Sequence, residues 1–339
     1  MKIHNRIPDI ENLHAVLRRE VPARPTLFEL FLNEPLYEFL AGRKSPGDNE
    51  AEYLKFLIDA FAAAGYDYAT VYASTMVFPA AAQNQLNTIS LNEGYVITDE
   101  ASFSAYKWPD AEHFDSSKLE IAKDLLPGGM KLMVMGPGGV LENVIKLVGY
   151  ENLCYMLFEE PQLVQAVFDN VGKQLLKYYT IASQYESVGV ISVNDDWGFK
   201  TQTFLSTRDM EKYVFPWNKK IVDVAHANGK PVILHSCGYF NDIMEHVIKD
   251  GYDGKHSYED NILPVEASYD KWGGRIAILG GIDVDFVIRS PIESINKRCR
   301  AMLEKTSLIG GYALGTGNSV PEYVPRDKYL AMIKVALEY

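Results

Sequence analysis

Residues 231–238 read Pro-Val-Ile-Leu-His-Ser-Cys-Gly, a short apolar run that ends in polar side chains. An apolar run of this length is typical of a strand that is covered on both faces, as in a parallel sheet. We expect the strand to end at His235, so that His235 and Cys237 lie at its carboxyl end.

Segments of the same kind alternate with amphipathic helical patterns along the 339 residues. This alternation predicts an α/β fold with a parallel sheet, and eight strands favour closure into a (β/α)8 TIM barrel. An open doubly wound sheet is the alternative, although no Gly-x-Gly-x-x-Gly follows the first strand. We predict one barrel domain over residues 1–339. The predicted strands are Thr26–Phe31, Tyr68–Ala73, Lys131–Met135, Gly189–Val193, Pro231–His235, Tyr252–Lys255, Arg275–Leu279 and Gly311–Leu314.

One long insertion, residues 75–130, interrupts the alternation after the second predicted strand. It is rich in polar and aromatic residues. Long insertions after barrel strands lie over the mouth of the barrel. We expect a lid or substrate-binding cap, and a surface excursion without a role is the alternative.

The composition is that of an ordinary globular protein, with 47% hydrophobic and 23% charged residues. The formal net charge of −12 disfavours a nucleic-acid partner, because an acidic surface repels a phosphate backbone. The three cysteines, Cys154, Cys237 and Cys299, do not suggest a disulfide framework. Neither a signal peptide nor an apolar run of roughly 18 residues is found. We expect a cytoplasmic protein with no membrane partner.

Polar side chains collect where the predicted strands end. The carboxyl ends of barrel strands form one face, and that face carries the active site. We therefore expect these side chains to surround a common mouth. They include Glu29, Asn33, Tyr72, Ser74, Asn194, Asp195, Asp196, Trp197, His235, Cys237, His256, Glu259, Asp260, Asp283, Thr316 and Asn318.

The pair His235 and Cys237 is the sharpest local signal for chemistry. Residues two apart at a bending strand end can both reach one ion, and imidazole and thiolate are good zinc ligands. Two ligands do not make a site, and histidine also serves as a general acid or base without a metal. The spacing leaves both possibilities open.

Asp195 and Asp196 place two carboxylates at the end of the fourth strand. Adjacent residues of an extended chain point in opposite directions, so one should face the mouth and the other cap the next segment. Asp195, Asp196, His235 and His256 are the candidate catalytic acids and bases. A solvated or capping acid pair and a structural histidine are the alternatives.

Five stretches of the sequence are quite specific when they occur together, namely Met135-Gly136-Pro137-Gly138-Gly139, Asn194-Asp195-Asp196-Trp197-Gly198, Pro231–Gly238, Gly280-Gly281-Ile282-Asp283 and Leu314-Gly315-Thr316-Gly317-Asn318. Through them the chain resembles the uroporphyrinogen decarboxylase superfamily from about Thr26 onward. This resemblance implies a (β/α)8 barrel, in agreement with the strand pattern.

Two chemistries occur in the superfamily. True decarboxylases carry an Arg-Gln-Ala-Gly-Arg segment after strand one and an aspartate at the end of strand two. This chain has Phe28-Glu29-Leu30-Phe31 and Tyr72-Ala73-Ser74-Thr75 there. An acidic mouth would also repel the carboxylates of a porphyrinogen. A porphyrinogen decarboxylase-like lyase is therefore the alternative, beside a non-catalytic small-molecule-binding barrel.

The resemblance is closer to the cobalamin-dependent methyltransferase branch. It implies methyl transfer between a small ether, amine or thiol and a corrinoid protein, in either direction. Such relatives bind zinc through a His-x-Cys motif and a later cysteine. His235 and Cys237 match the motif, but Asn318 stands at the later position. Asparagine is a poor zinc ligand, so another ligand, such as His256, would be needed.

The resemblance also implies a mechanism. In a demethylase, cob(I)alamin on the partner protein attacks the methyl group while an acid or Lewis acid assists the leaving atom. His235, a metal on Cys237, Asp195 or Asp196 could supply that assistance. The expected substrate-binding residues are Glu29, Tyr72, Trp197 and Asn318.

Overall fold

Seven short parallel strands form one curled sheet in the computed structural model, which describes residues 4–81 and 91–339. Each strand is hydrogen-bonded to the next in chain order, so the predicted barrel-like α/β architecture is confirmed. The strands are β1 (Tyr68–Tyr72), β2 (Lys131–Met135), β3 (Val188–Asn194), β4 (Val232–His235), β5 (Gly254–His256), β6 (Ala277–Leu279) and β7 (Tyr312–Ala313).

Amphipathic helices cover the sheet, and their apolar faces form the core with it. Among the described residues, no helix combines the length and the apolar character needed to cross a membrane. The helices are α1 (Glu11–Leu17), α2 (Glu34–Ala41), α3 (Glu50–Ala64), α4 (Glu100–Ala105), α5 (Ser117–Leu125), α6 (Val140–Val148), α7 (Tyr150–Glu159), α8 (Pro161–Ser183), α9 (Thr207–Asp209), a π-helix (Met210–Val214), α10 (Phe215–Ala227), α11 (Met244–Asp250), α12 (Val265–Trp272), α13 (Val284–Arg289), α14 (Ile292–Thr306) and α15 (Arg326–Leu337).

The register of the central strands aligns three polar residues at one end of the sheet. Asn194 of β3 lies opposite His235 of β4, and His235 lies opposite His256 of β5. Parallel strands end on the same side, so the segments that follow these residues meet at the mouth of the barrel.

The predicted first strand, Thr26–Phe31, is present only as a single bridge between Leu27 and Leu314. This segment bonds to the end of β7, but among the described residues it makes no ladder with β1. The hydroxyl of Tyr68 accepts from the Glu29 backbone N–H at 2.8 Å and donates to the Glu29 carbonyl at 2.7 Å. A side chain therefore satisfies the backbone groups of Glu29, which a ladder would otherwise pair.

The predicted cap spans residues 75–130, of which residues 82–90 lie outside the described residues. Its C-terminal portion contains α5, which packs beside the barrel. The Ser187 hydroxyl donates to the Leu119 carbonyl at 2.5 Å, and Lys118 pairs with Glu50 of α3 at 2.7 Å. Residues 117–125 therefore act as a barrel helix, and a capping role for the part before them stays a prediction.

Candidate metal centre

Three side chains converge where β3 and β4 end. Asp196, His235 and Cys237 each offer one ligand atom, and these atoms lie within 4.8 Å of one another. The Cys237 sulfur is 3.5 Å from His235 Nε2, and the Cys237 backbone N–H donates to Asp196 Oδ1 at 2.7 Å. Carboxylate, imidazole and thiolate are all zinc ligands, and three protein ligands with an open fourth position are typical of catalytic zinc. The donor set therefore fits zinc.

A tight turn brings Cys237 beside the segment that carries Asp196. Gly238 has a φ of 80°, which favours glycine. A Cβ atom added there would lie 2.1 Å from the Gly198 carbonyl oxygen. Residue 238 therefore has to be a glycine for the two chain segments to approach so closely.

A chain of hydrogen bonds determines which nitrogen of His235 faces the cluster. His256 Nε2 lies 3.1 Å from the Thr316 carbonyl oxygen, which can only accept, so this nitrogen carries a proton. Neutral His256 then has an unprotonated Nδ1, which accepts from His235 Nδ1 at 2.9 Å. Neutral His235 is thereby left with a free lone pair on Nε2, beside Cys237. This is the arrangement that a metal-binding histidine requires.

Burial keeps both imidazoles neutral. It lowers the pKa of His256 to about 3, and it lowers the pKa of His235 well below its ordinary value. Burial, together with the nearby Asp196, raises the pKa of the Cys237 thiol to about 12. His235 is therefore ready to bind a metal at neutral pH, whereas Cys237 loses a proton when the metal binds.

The two adjacent aspartates have different surroundings, as the alternation of an extended chain predicts. Asp196 belongs to the cluster described above. Asp195 is fully buried, and its carboxylate accepts from the backbone N–H groups of Leu141 at 3.1 Å and Glu142 at 2.9 Å. It therefore caps the first turn of α6, and a catalytic role for Asp195 would have to operate through this helix.

Glu142 was not identified from the sequence. Its Oε2 accepts from the Gly139 backbone N–H at 3.1 Å, and its carboxyl group is also hydrogen-bonded to the backbone of Asp196. Burial and the charges of Asp195 and Asp196 raise its pKa. The available signal is its place three residues after Gly139, which is the N3 position of a capping box.

Asn318 contacts the sulfur as a hydrogen-bond donor. Its Nδ2 donates to Cys237 Sγ at 3.3 Å, while its Oδ1 accepts from the Ser319 backbone N–H at 2.7 Å. Because the amide oxygen is turned away from the sulfur, Asn318 is not a third ligand in this arrangement. Asp196 is the residue placed to be a third ligand. His256, the other suggested ligand, has both ring nitrogens engaged and lies behind His235.

A solvent-open cleft of about 900 Å³ is lined by Asn318, which contacts Cys237, but by none of the three cluster residues themselves. The cationic side chains around it are paired with carboxylates. Lys200 lies 3.4 Å from Glu259, and Arg289 lies 2.7 Å from Asp285. Behind the wall, Arg298 forms a two-point contact with Asp260 at 2.7 and 2.8 Å.

The other predicted substrate-binding residues differ in position. Tyr72 is 43% exposed, stacks on Phe31 and lines a second cavity of about 390 Å³. Trp197 is buried, with its ring against Phe215 at 5.5 Å. Glu29 is also buried, and both of its oxygens bond to Thr316 at 2.7 Å. Trp197 and Glu29 are thus buried, and direct substrate contact by either side chain stays a prediction.

Residues 49–339 match the family model described as "Uroporphyrinogen decarboxylase (URO-D)". Two curated proteins with the description "Uroporphyrinogen decarboxylase" are similar to this chain. The one from Geobacter sulfurreducens is 25% identical over 185 residues, which is 55% of this chain and 52% of its own length. The one from Prochlorococcus marinus is 27% identical over 182 residues, which is 52% and 49% respectively. The chain thus spans about half the length of the curated relatives it matches.

Among solved structures, a "methyltransferase from Methanosarcina mazei" is similar over 98% of this chain and 99% of its own. The TM-score is 0.72 and the sequence identity is 15%. At this identity, the likeness shows a shared fold.

Proposed function

This chain belongs to the uroporphyrinogen decarboxylase (URO-D) family, and on that premise we propose that it is a corrinoid-linked methyltransferase. The substrate would be a small methylated ether, amine or thiol, and the corrinoid would be carried by a partner protein. The observation that carries this proposal is the convergence of Asp196, His235 and Cys237, which Asn318 connects to the wall of an open cleft.

Each residue of the cluster and its neighbours would have a distinct role in methyl transfer. Asp196, His235 and Cys237 would hold zinc, which supplies a Lewis acid for the substrate atom that carries the methyl group. The hydrogen bond to His256 keeps His235 Nε2 free for this purpose. Asn318 donates to the Cys237 sulfur and so favours the thiolate form. Glu142, which is hydrogen-bonded to the backbone of Asp196, would support the position of that ligand.

The surroundings of the cleft support this proposal over porphyrinogen decarboxylation. A substrate with several carboxylates needs cationic partners. Lys200 and Arg289 of the cleft wall already pair with Glu259 and Asp285. The similar solved structure from Methanosarcina mazei is named as a methyltransferase, which also favours methyl transfer.

Porphyrinogen decarboxylation remains the second candidate, because the curated relatives bear that name. A barrel that only binds a small molecule is the third.

The metal site is tested by elemental analysis of the purified protein. We expect about one zinc ion per chain, and its loss in Cys237→Ala and His235→Ala. The matched control is Cys154→Ala, which removes a cysteine that lies outside the cluster. Absence of zinc from wild type after incubation with it, or retention of zinc by both cluster variants, would contradict the zinc site.

Methyl transfer is tested with a corrinoid protein and a panel of methylated ethers, amines and thiols, followed by the absorbance of the corrinoid. We expect its cob(I)alamin spectrum to convert to that of methylcobalamin with at least one donor, and Cys237→Ala to abolish the conversion. Failure across all donors, together with turnover of a porphyrinogen, would reverse the ranking of the two enzyme functions.

A further inference from the structure

A lysine lies buried directly beneath the metal centre. Lys255 of β5 has no exposed surface. Its Nζ donates to the Ser236 carbonyl at 3.1 Å and to the Ser257 carbonyl. The same ammonium lies 3.8 Å from the ring centre of Phe240 and 4.5 Å from that of Tyr258. Two carbonyl dipoles and two aromatic faces thus enclose it.

This environment can hold a cation without a carboxylate. Among the described residues, Lys255 forms no ion pair. Removing an ammonium from water is unfavourable, and carbonyl oxygens and aromatic faces offset part of that cost. An apolar side chain could fill the same space, so packing alone does not account for a charge at this position.

The contacts of Lys255 lead to the metal centre. Ser236 is the residue between His235 and Cys237, so the bond to its carbonyl fixes the peptide that connects these two ligands. Phe240 follows the turn at Gly238, and Tyr258 lines the cleft. Lys255 therefore holds the Ser236–Phe240 segment from the helix-facing side of β5, opposite to the side on which His256 lies.

We propose that Lys255 is a positioning residue of the candidate metal centre, because its hydrogen bond to the Ser236 carbonyl fixes the peptide that connects His235 and Cys237. This inference rests on the zinc site of the proposed function. It does not depend on the identity of the methylated substrate.

The test compares Lys255→Met and Lys255→Gln with the control Lys220→Met. Met removes both the charge and the donor, whereas Gln keeps a donor for a carbonyl. Lys220 also lies over an aromatic ring, that of Trp217 at 3.8 Å, but on the outside of the barrel. Zinc affinity is measured by competition with a chelator. The thiolate-to-metal charge-transfer band of the Co²⁺-loaded protein reports on the Cys237–metal bond.

We expect Lys255→Met to lower zinc affinity roughly 10- to 100-fold, as for other residues that support metal ligands, and to weaken or shift the Co²⁺ band. Lys255→Gln should fall between Met and wild type, and Lys220→Met should match wild type. If Lys255→Met does not fold, Phe240→Leu, which removes one aromatic wall, should show a smaller loss of affinity.

Wild-type zinc affinity and an unchanged Co²⁺ band in every folded variant of Lys255 and Phe240 would overturn the role of Lys255. Metal binding by wild type would then leave the proposed function standing. If wild type itself binds neither zinc nor Co²⁺, the metal site fails and this inference fails with it.

Discussion

The substitution Glu29→Gln should remove a pH-dependent loss of stability. Glu29 is fully buried, and burial raises its pKa to about 8. The Thr316 backbone N–H donates to Oε1 and the Thr316 hydroxyl donates to Oε2, both at 2.7 Å, and these bonds oppose the larger effect of burial without cancelling it. Glutamine has nearly the same shape as glutamate and cannot ionise.

The sign and the size follow from proton linkage. The unfolded chain has Glu29 near its ordinary pKa of 4.5. Between that value and about 8, the folded protein binds one more proton than the unfolded chain, so stability is lost as the pH rises. From pH 6 to pH 8 the loss from Glu29 is about 2 kcal/mol. Glu29→Gln carries no such group, so it should gain about that much relative to wild type across this range.

The assay is urea unfolding of both proteins at several pH values, followed by tryptophan fluorescence. Subtracting one free energy of unfolding from the other cancels every titrating group that the two proteins share. Glu322→Gln, at an exposed position after β7, is the control and should follow wild type. A difference between wild type and Glu29→Gln that stays constant from pH 6 to pH 8 would refute the protonated, buried state of Glu29.

Three further predictions concern the metal centre. Asn318→Cys places a thiol beside the Cys237 sulfur, so it should tighten zinc binding at least tenfold in chelator competition and lower methyl transfer by filling the open position. His256→Phe removes the acceptor for His235 Nδ1 and should weaken zinc binding about 10- to 100-fold, whereas His256→Gln, which can still accept, should lose less. Gly238→Ala forces a Cβ against the Gly198 carbonyl and should destabilise the fold by about 2 kcal/mol or more, measured by thermal unfolding. Unchanged affinities or melting temperatures would contradict each of them.

The architecture could be predicted from the sequence because it depends on patterns that are local. Apolar runs such as Val232-Ile233-Leu234 are strands wherever helices cover both faces of a sheet. The chain order of strands and helices then places their carboxyl ends on one face, which brought His235, Cys237 and the Asp195–Asp196 pair to the same mouth.

Which side chains form the site depends on contacts between residues that are distant in the sequence. Spacing could not show that Asp196 is the third member of the cluster, because which of two neighbouring aspartates faces inward depends on the ends of β3 and α6. Glu142 and Lys255 carry no motif, and burial against other segments gives them their altered pKa values.

The sequence by itself determined every predicted strand except Thr26–Phe31, together with their order and the face on which chemistry is expected, since these follow from the periodicity of apolar side chains along the chain. Only the tertiary structure decided that Tyr68 takes the place of a strand partner for Glu29, and that Thr316 and His256 fix the tautomer of His235. Hydrogen bonds and desolvation depend on the distance between groups in space, and residues 29, 68, 235, 256 and 316 come together only in the folded barrel.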